Sequence, residues 1–354
     1  MLKETFEGKK VFLTGHTGFK GAWLLLILHK LGAYVKGYSL APKHDNDLYN
    51  LIGGDSLCTS VIADIRDRER VQKEMDAFQP DFVFHLAAQA LVIDSYSIPV
   101  ETYETNVMGT IYVMDALRAL KKPCASVMIT TDKVYENFET SAPYSEDARI
   151  GGYDPYSNSK ACAELAIGSY RNSFLNPKDY SAHLQSLSSA RSGNVIGGGD
   201  WSENRLVPDI ARALIAGEQV IIRNPSAVRP WQHVLDPLNG YLMLAAHMAE
   251  DPSKFAQGYN FGPHPNDERN VKDMCELAID QWGEGSYQTP EITEKPHEAG
   301  LLKLAIEKAQ QDLHWAPRFT SAEAVEWTMD WYKNGRNDAF NFTSAQIERY
   351  FGLG

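Results

Sequence analysis

An α/β fold is predicted for this chain: a doubly wound, mainly parallel sheet with a smaller C-terminal lobe. Three observations predict it. Short apolar, β-branched runs alternate with helical stretches through roughly the first half of the chain; a glycine-rich turn closes the first run; and this regularity breaks down after about Gly193. Strands that alternate with helices need crossover connections, which place helices on both faces of a parallel sheet.

Each element has its own local reason. Lys10–Thr14 (KVFLT) is a strand that stops at glycine, and Gly18 to Leu31 is leucine-rich, free of proline and helical. Tyr34–Leu40 and Thr59–Ala63 read as the second and third strands, and Asp67–Phe78 as a charged amphipathic helix. Asp81–Leu86 (DFVFHL) has the apolar density of a buried strand. Helix-compatible sequence fills Ser97 to Leu120 after Pro99, and Ser126–Thr131 is again a strand. Tyr156–Asn172 looks helical, and Ala182–Ala190 is the next strand. Gly197-Gly198-Gly199-Asp200-Trp201 reads as a loop, after which Pro, Trp and Arg become frequent. The expected division is residues 1–190 for the sheet domain and 191–354 mainly for the second lobe, with parts of 229–255 packing back. No repeat of 20–50 residues is visible.

Composition excludes several function classes. The chain has 354 residues, 44% hydrophobic and 23% charged, which is globular. With 46 Asp+Glu against 34 Lys+Arg the net charge is −12, so no nucleic-acid partner is expected, because that affinity comes from clustered cations. A local cationic pocket for one phosphorylated small molecule is compatible with this charge. The longest apolar run, Ala22 to Leu28, is far short of the roughly 20 residues of a membrane span. The opening MLKETFE has no signal-peptide pattern. Cys58, Cys124, Cys162 and Cys275 lack CxxC or metal spacing and read as reduced thiols. A soluble, cytoplasmic protein without a metal site is expected.

The turn Thr14-Gly15-His16-Thr17-Gly18-Phe19-Lys20-Gly21 lies between the first strand and first helix. Glycine lets the backbone turn sharply and approach a pyrophosphate, while the helix N-terminus offers free N–H groups. This is the arrangement of a Rossmann-type dinucleotide domain. The spacing is GxxGxxG, and TGxxGxxG here resembles the extended short-chain dehydrogenase/reductase family, with further matches from Lys9 to about Tyr332. The resemblance implies NAD as cofactor, held by Gly15, His16, Thr17, Gly18, Phe19 and Gly21. It also implies adenine contacts from Asp64 and Ile65, and a strand-end segment along the cofactor at Leu86, Ala87 and Ala88. One departure stands out: the stretch Val35 to Lys43 holds no acid for the ribose hydroxyls. Weaker NAD binding or some NADP tolerance therefore stays open.

Tyr156 and Lys160 are four apart, hence on one helix face. A tyrosine has a pKa near 10; a neighbouring ammonium favours phenolate and makes it a general base. In the family that Tyr156 and Lys160 resemble, this pair also contacts the cofactor, and Thr131 matches the Ser/Thr bound to the reacting hydroxyl. Asp132-Lys133 follows directly. An epimerase needs no acid there, whereas a 4,6-dehydratase must remove the C5 proton and protonate the C6 hydroxyl. Asp132 matches the family acid, while Lys133 stands where the dTDP-glucose enzymes have glutamate. Whether Lys133 takes the C5 proton or only orients Asp132 is left open.

Further resemblances imply substrate contacts from Asn106, Asn194, Arg205, Arg229, Asn266 and His297. The segments GHTGFKG, TTDKVYEN, SGNVIGGGDW and RPWQHVLDPLNGYL resemble the branch of nucleotide-sugar dehydratases acting on CDP-glucose in bacterial deoxysugar synthesis. That implies CDP-glucose as the small-molecule substrate and a homodimer through a helical face. A UDP-sugar dehydratase or epimerase is the alternative enzyme. A catalytically dead dinucleotide sensor is opposed by the intact Thr131, Tyr156 and Lys160.

Overall fold

The structure, a computed structural model, describes residues 1–290 and 300–353. His297 lies outside the described residues. Six strands form in order: β1 (Lys10–Thr14), β2 (Tyr34–Ser39), β3 (Thr59–Ile62), β4 (Phe82–His85), β5 (Cys124–Ile129) and β6 (Gln185–Ser192). Short strands β7 (Asn194–Ile196), β8 (Val220–Ile221), β9 (Val228–Arg229) and β10 (Trp231–His233) lie outside the main sheet, and β11 (Gly258–Phe261) rejoins it. Among the described residues the main sheet has seven strands in the order β11-β6-β5-β4-β1-β2-β3, all parallel. The chain runs outward from β1 to β3 and then restarts at β4 on the other side of β1. Strand order reverses at that point, and a parallel sheet opens a crevice there beyond its carboxyl ends.

The two faces of the sheet are both covered. The helix Phe19–Lys30 is buried from Gly21 to Leu28, so its leucines pack all round rather than on one stripe. Leu235–Glu250 is buried along most of its length and contacts β5, β6 and β11. The sheet thus takes in a helix and a strand from beyond residue 190. β6, expected over Ala182–Ala190, runs later, and all eight residues of QSLSSARS are buried although six carry polar side chains. Such groups call for partners when buried: Ser186 and Ser189 donate to Pro252 O and Glu164 Oε2 at 2.9 Å each, while Gln185 Oε1 and Arg191 Nε have none among the described residues.

The helix-compatible stretch after Pro99 is helical from Pro99 to Ala119, with Pro99–Tyr103 running through a π-turn at Glu104–Met108 into Gly109–Ala119. A π-turn inserts one residue into the helical ladder and re-aims a side chain; here that side chain is Asn106. No helix among the described residues is long and apolar enough to cross a membrane, and no metal-binding cluster occurs among them. All four cysteines carry free thiols.

Candidate active site

The glycine turn sits at the strand-order reversal. Gly15 has φ +74°, and a Cβ there would lie 2.7 Å from Ala87 N. A Cβ on Gly21 would come within 1.9 Å of Gly15 O. The turn is therefore folded tightly against β4's extension, where Thr14 Oγ1 accepts from Ala87 N at 3.1 Å. Gly18 is the N-cap of Phe19–Lys30 and has no side-chain cap, so first-turn N–H groups remain for an anion. These residues fit the pyrophosphate of a dinucleotide. The end of β2 offers hydroxyls instead of an acid, with Thr17 Oγ1 bonded to Ser39 Oγ at 2.9 Å and donating to Leu40 O at 2.8 Å. His16 is buried with Nε2 bonded to Ser60 Oγ at 2.8 Å, and burial lowers its pKa to about 4.

Tyr156 and Lys160 stand on the helix Pro155–Ser173, started by Pro155 at its first position and capped by Asp154, which accepts from Ser157 N at 2.9 Å. Lys160 Nζ donates to Ile129 O at 3.2 Å, joining the helix to the end of β5. Burial pushes Lys160 down to about 8, with Glu164 pulling it back up. Burial also pushes Tyr156 up to about 12, countered by a hydrogen bond with Thr131. Thr131 follows β5 and caps the short turn Asp132–Val134. Its Oγ1 donates to Asp132 Oδ1 at 2.8 Å.

Lys133 completes the cluster. Its ammonium donates to Asp132 Oδ1 at 3.2 Å and to Asn194 Oδ1 at 3.1 Å. Asp132 is fully buried, and its Oδ2 has no hydrogen-bond partner among the described residues. A buried carboxylate oxygen left without a donor is uncommon and draws notice as a functional group.

Thr131, Lys133, Tyr156 and Lys160 border a cavity of about 790 Å³, with Asp132 buried behind its wall, within the usual range for a small-molecule site. Its lining takes in Phe19, Leu86, Ala88, Thr131, Lys133, Tyr156, Lys160, Asn194, Arg205 and Arg229. Arg205 precedes the helix Leu206–Ala216 and pairs with Asp200 at 3.1 Å. Arg229 is held in β9, paired antiparallel with Arg269–Asn270. The wall carries Lys20, Lys133, Lys160, Arg205 and Arg229 alongside acids such as Glu136, Asp200 and Glu203.

Other expected site residues lie elsewhere. Asn106, expected at the sugar, is fully buried outside the lining. Its Oδ1 accepts from Gln89 N at 2.9 Å, and its Nδ2 donates to Gln89 O and Ser159 Oγ, so its polar atoms are engaged in holding the β4 extension. Asn266 is exposed on a turn outside the lining. Asp64 accepts from Arg66 N, Nε and Nη2, which lowers its pKa, and Ile65 is buried against Gly109. Sequence reasoning passed over Lys20, which lines the cavity with Nζ 3.4 Å from Ser192 Oγ. Burial first, and then Lys160, push it down to about 7. The signal was present: a lysine at the start of an otherwise apolar buried helix.

The description GDP-mannose 4,6 dehydratase matches residues 12–328. The chain belongs to the GDP-mannose 4,6 dehydratase family. Within reach of this family's members, it is 46% identical over 331 residues to a CDP-glucose 4,6-dehydratase of Salmonella typhimurium, covering 94% of this chain and 92% of that protein. It is 28% identical over 335 residues to a dTDP-glucose 4,6-dehydratase of Streptomyces antibioticus, covering 92% and 93%. Among solved structures, a dTDP-glucose 4,6-dehydratase of Streptomyces venezuelae with NAD and TYD bound superposes with TM-score 0.78 at 21% identity, covering 93% and 98%. A UDP-glucose-4-epimerase of Stenotrophomonas maltophila with NAD bound gives 0.79 at 20%, covering 92% and 98%. These two likenesses bear out the doubly wound, Rossmann-type fold.

Proposed function

We propose that this chain is a hydro-lyase converting CDP-D-glucose to CDP-4-dehydro-6-deoxy-D-glucose and water with NAD. The observation that carries the reading is the meeting of Lys133, Thr131 and Tyr156 at one cavity, with Asp132 buried directly behind them and hydrogen-bonded to Thr131 and Lys133. The 46% identity with a CDP-glucose 4,6-dehydratase supports the same reading.

The glycine turn and the first-turn N–H groups of Phe19–Lys30 would hold the dinucleotide. NAD, when bound, supplies the acceptor for hydride from C4 and its return to C6. Tyr156 takes the C4 hydroxyl proton, with the Lys160 ammonium favouring its phenolate and Thr131 sharing the hydroxyl. Passage of one proton from the Lys133 ammonium to the Asp132 carboxylate it touches would leave an amine able to take the C5 proton acidified by the new ketone, and a carboxylic acid able to protonate the C6 hydroxyl, which leaves as water; in the alternative role Lys133 only orients Asp132. Arg205 and Arg229 bind the diphosphate by charge-assisted hydrogen bonds.

The test is incubation of purified protein with CDP-glucose, read by the alkaline absorbance of a 4-keto sugar. Product from CDP-glucose well above that from UDP-glucose or dTDP-glucose is expected. Interconversion of UDP-sugars without dehydration would establish the epimerase instead. A homodimer accompanies this reading, supported by exposed Ile98, Val100, Tyr103, Met108 and Leu165 on the helices around Pro99–Tyr103 and Pro155–Ser173; light scattering should give twice the chain mass. Four free thiols agree with a reducing, cytoplasmic location.

A further inference from the structure

We propose that Glu164 is a positioning residue of the C4 oxidation: its buried carboxylate keeps Lys160 in the ammonium form and holds the strand end that carries Thr131. The inference rests on the reading of Tyr156 and Lys160 as the hydroxyl-oxidising pair. Tyr156, Lys160 and Glu164 follow one another at intervals of four on a single helix, so they line one face with about one turn between neighbours. Tyr156 reaches the cavity, while Glu164 lies behind it with its side chain 3% exposed.

The Glu164 carboxylate accepts from three donors, one just past the end of β5 and two on β6. Thr130 Oγ1, at the end of β5, is 2.5 Å from Oε1. Ser189 Oγ and Arg191 Nη2, both on β6, are 2.9 and 2.8 Å from Oε2. Thr130 precedes Thr131, so the carboxylate grips the backbone from which the substrate-facing hydroxyl projects. A buried ion pair is weak as a stabiliser by itself, because desolvation offsets its attraction. Burying four polar partners here calls for another reason.

That reason is Lys160. Its ammonium sits in a buried site with one neutral acceptor, Ile129 O, and desolvation drives it toward the uncharged amine. Added to burial, Lys160 in turn lowers the pKa of Lys20, which reaches in from Phe19–Lys30, and of His85 on β4. Glu164 is the opposing anion one turn down. Arg191 from β6 and Arg171 from the same helix in turn face Glu164. An amine at Lys160 would leave the Tyr156 phenol without the charge that favours its deprotonation.

The test titrates Lys160 directly, using protein carrying [ε-13C]lysine, with the Lys160 resonance assigned by its disappearance in Lys160→Met. In Glu164→Gln the midpoint should fall by about one pH unit or more, as expected for losing an opposite charge this close. The alkaline limb of kcat/KM should move to lower pH with it. Glu164→Asp should restore both to within about half a unit of wild type, since it keeps the charge. Arg191→Gln, which removes the competing cation, should move the midpoint upward. A purely structural pair gives no such opposed shifts. An unchanged midpoint in Glu164→Gln overturns the proposal; if that variant fails to fold, a midpoint that stays or falls in Arg191→Gln does so. The titration needs no substrate, so a wild-type protein inert toward CDP-glucose would remove the reaction assignment while leaving this measurement intact.

Discussion

Replacing Lys133 with alanine separates two roles that the geometry permits. The ammonium touches Asp132 Oδ1 at 3.2 Å and Asn194 Oδ1 at 3.1 Å, and its side chain is 27% exposed. Suppose it only orients Asp132. Its removal then deletes a charge-assisted hydrogen bond worth about 1.5–3 kcal/mol, which slows turnover roughly 10- to 150-fold. Suppose instead that it takes the C5 proton. Loss of a general base slows that step by about 10²–10⁴-fold. The two ranges overlap, so turnover alone does not decide; exchange of the C5 hydrogen does. Incubation with CDP-glucose in deuterium oxide, followed by mass spectrometry of recovered sugar nucleotide, reads that exchange. Base catalysis predicts near-abolition of C5 exchange in Lys133→Ala and its partial survival in Asp132→Asn, where the amide cannot protonate the C6 hydroxyl. C5 exchange close to wild type in Lys133→Ala would refute the reasoning and leave Lys133 an orienting charge.

Three further outcomes are expected. Tyr156→Phe should abolish turnover yet leave NAD binding by calorimetry largely intact, because it removes the proton acceptor and little volume; a kcat within tenfold of wild type would sink the base assignment. Arg229→Ala should raise the KM for the sugar nucleotide by about 10- to 150-fold, the equivalent of one charge-assisted phosphate contact, and unchanged CDP-glucose binding would remove it from the diphosphate site. Asp236 is buried and accepts from Arg318 N and Tyr350 OH, and burial raises its pKa from 3.8 to about 6. The folded state therefore binds this proton more tightly than the unfolded one, so the group favours folding below about pH 4 and that advantage is lost as pH rises toward 6. The full swing is roughly 3 kcal/mol, and urea unfolding of Asp236→Asn should show a flatter pH dependence between pH 4 and 6.5; an unaltered slope would rule Asp236 out as its source.

The elements legible in the sequence were those governed by local periodicity. β1 runs over Lys10–Thr14 as expected, and the helix holding Tyr156 and Lys160 differs from expectation by one residue at each end. Apolar alternation and a four-residue interval are properties of neighbouring residues, so they survive without knowledge of the rest of the chain. β6 shifted to Gln185–Ser192, because its serines and Arg191 are buried through partners that sequence alone does not display.

By itself, then, the sequence determined the glycine turn, the helix face of Tyr156 and Lys160, and the adjacency of Thr131, Asp132 and Lys133. Only the tertiary structure decided what those groups touch. Lys133 meets Asn194 across 61 positions, and Glu164 meets Arg191 across 27, because β5 and β6 pair in a register that sets Ile129 beside Ala190. Asn106 looked equally available for substrate, yet the π-turn points it at Gln89 and Ser159 instead. The physical reason is one of range. Backbone spacing fixes which residues share a face within a few turns, whereas burial, countercharge and the partners of a polar side chain depend on strands brought together from distant parts of the chain.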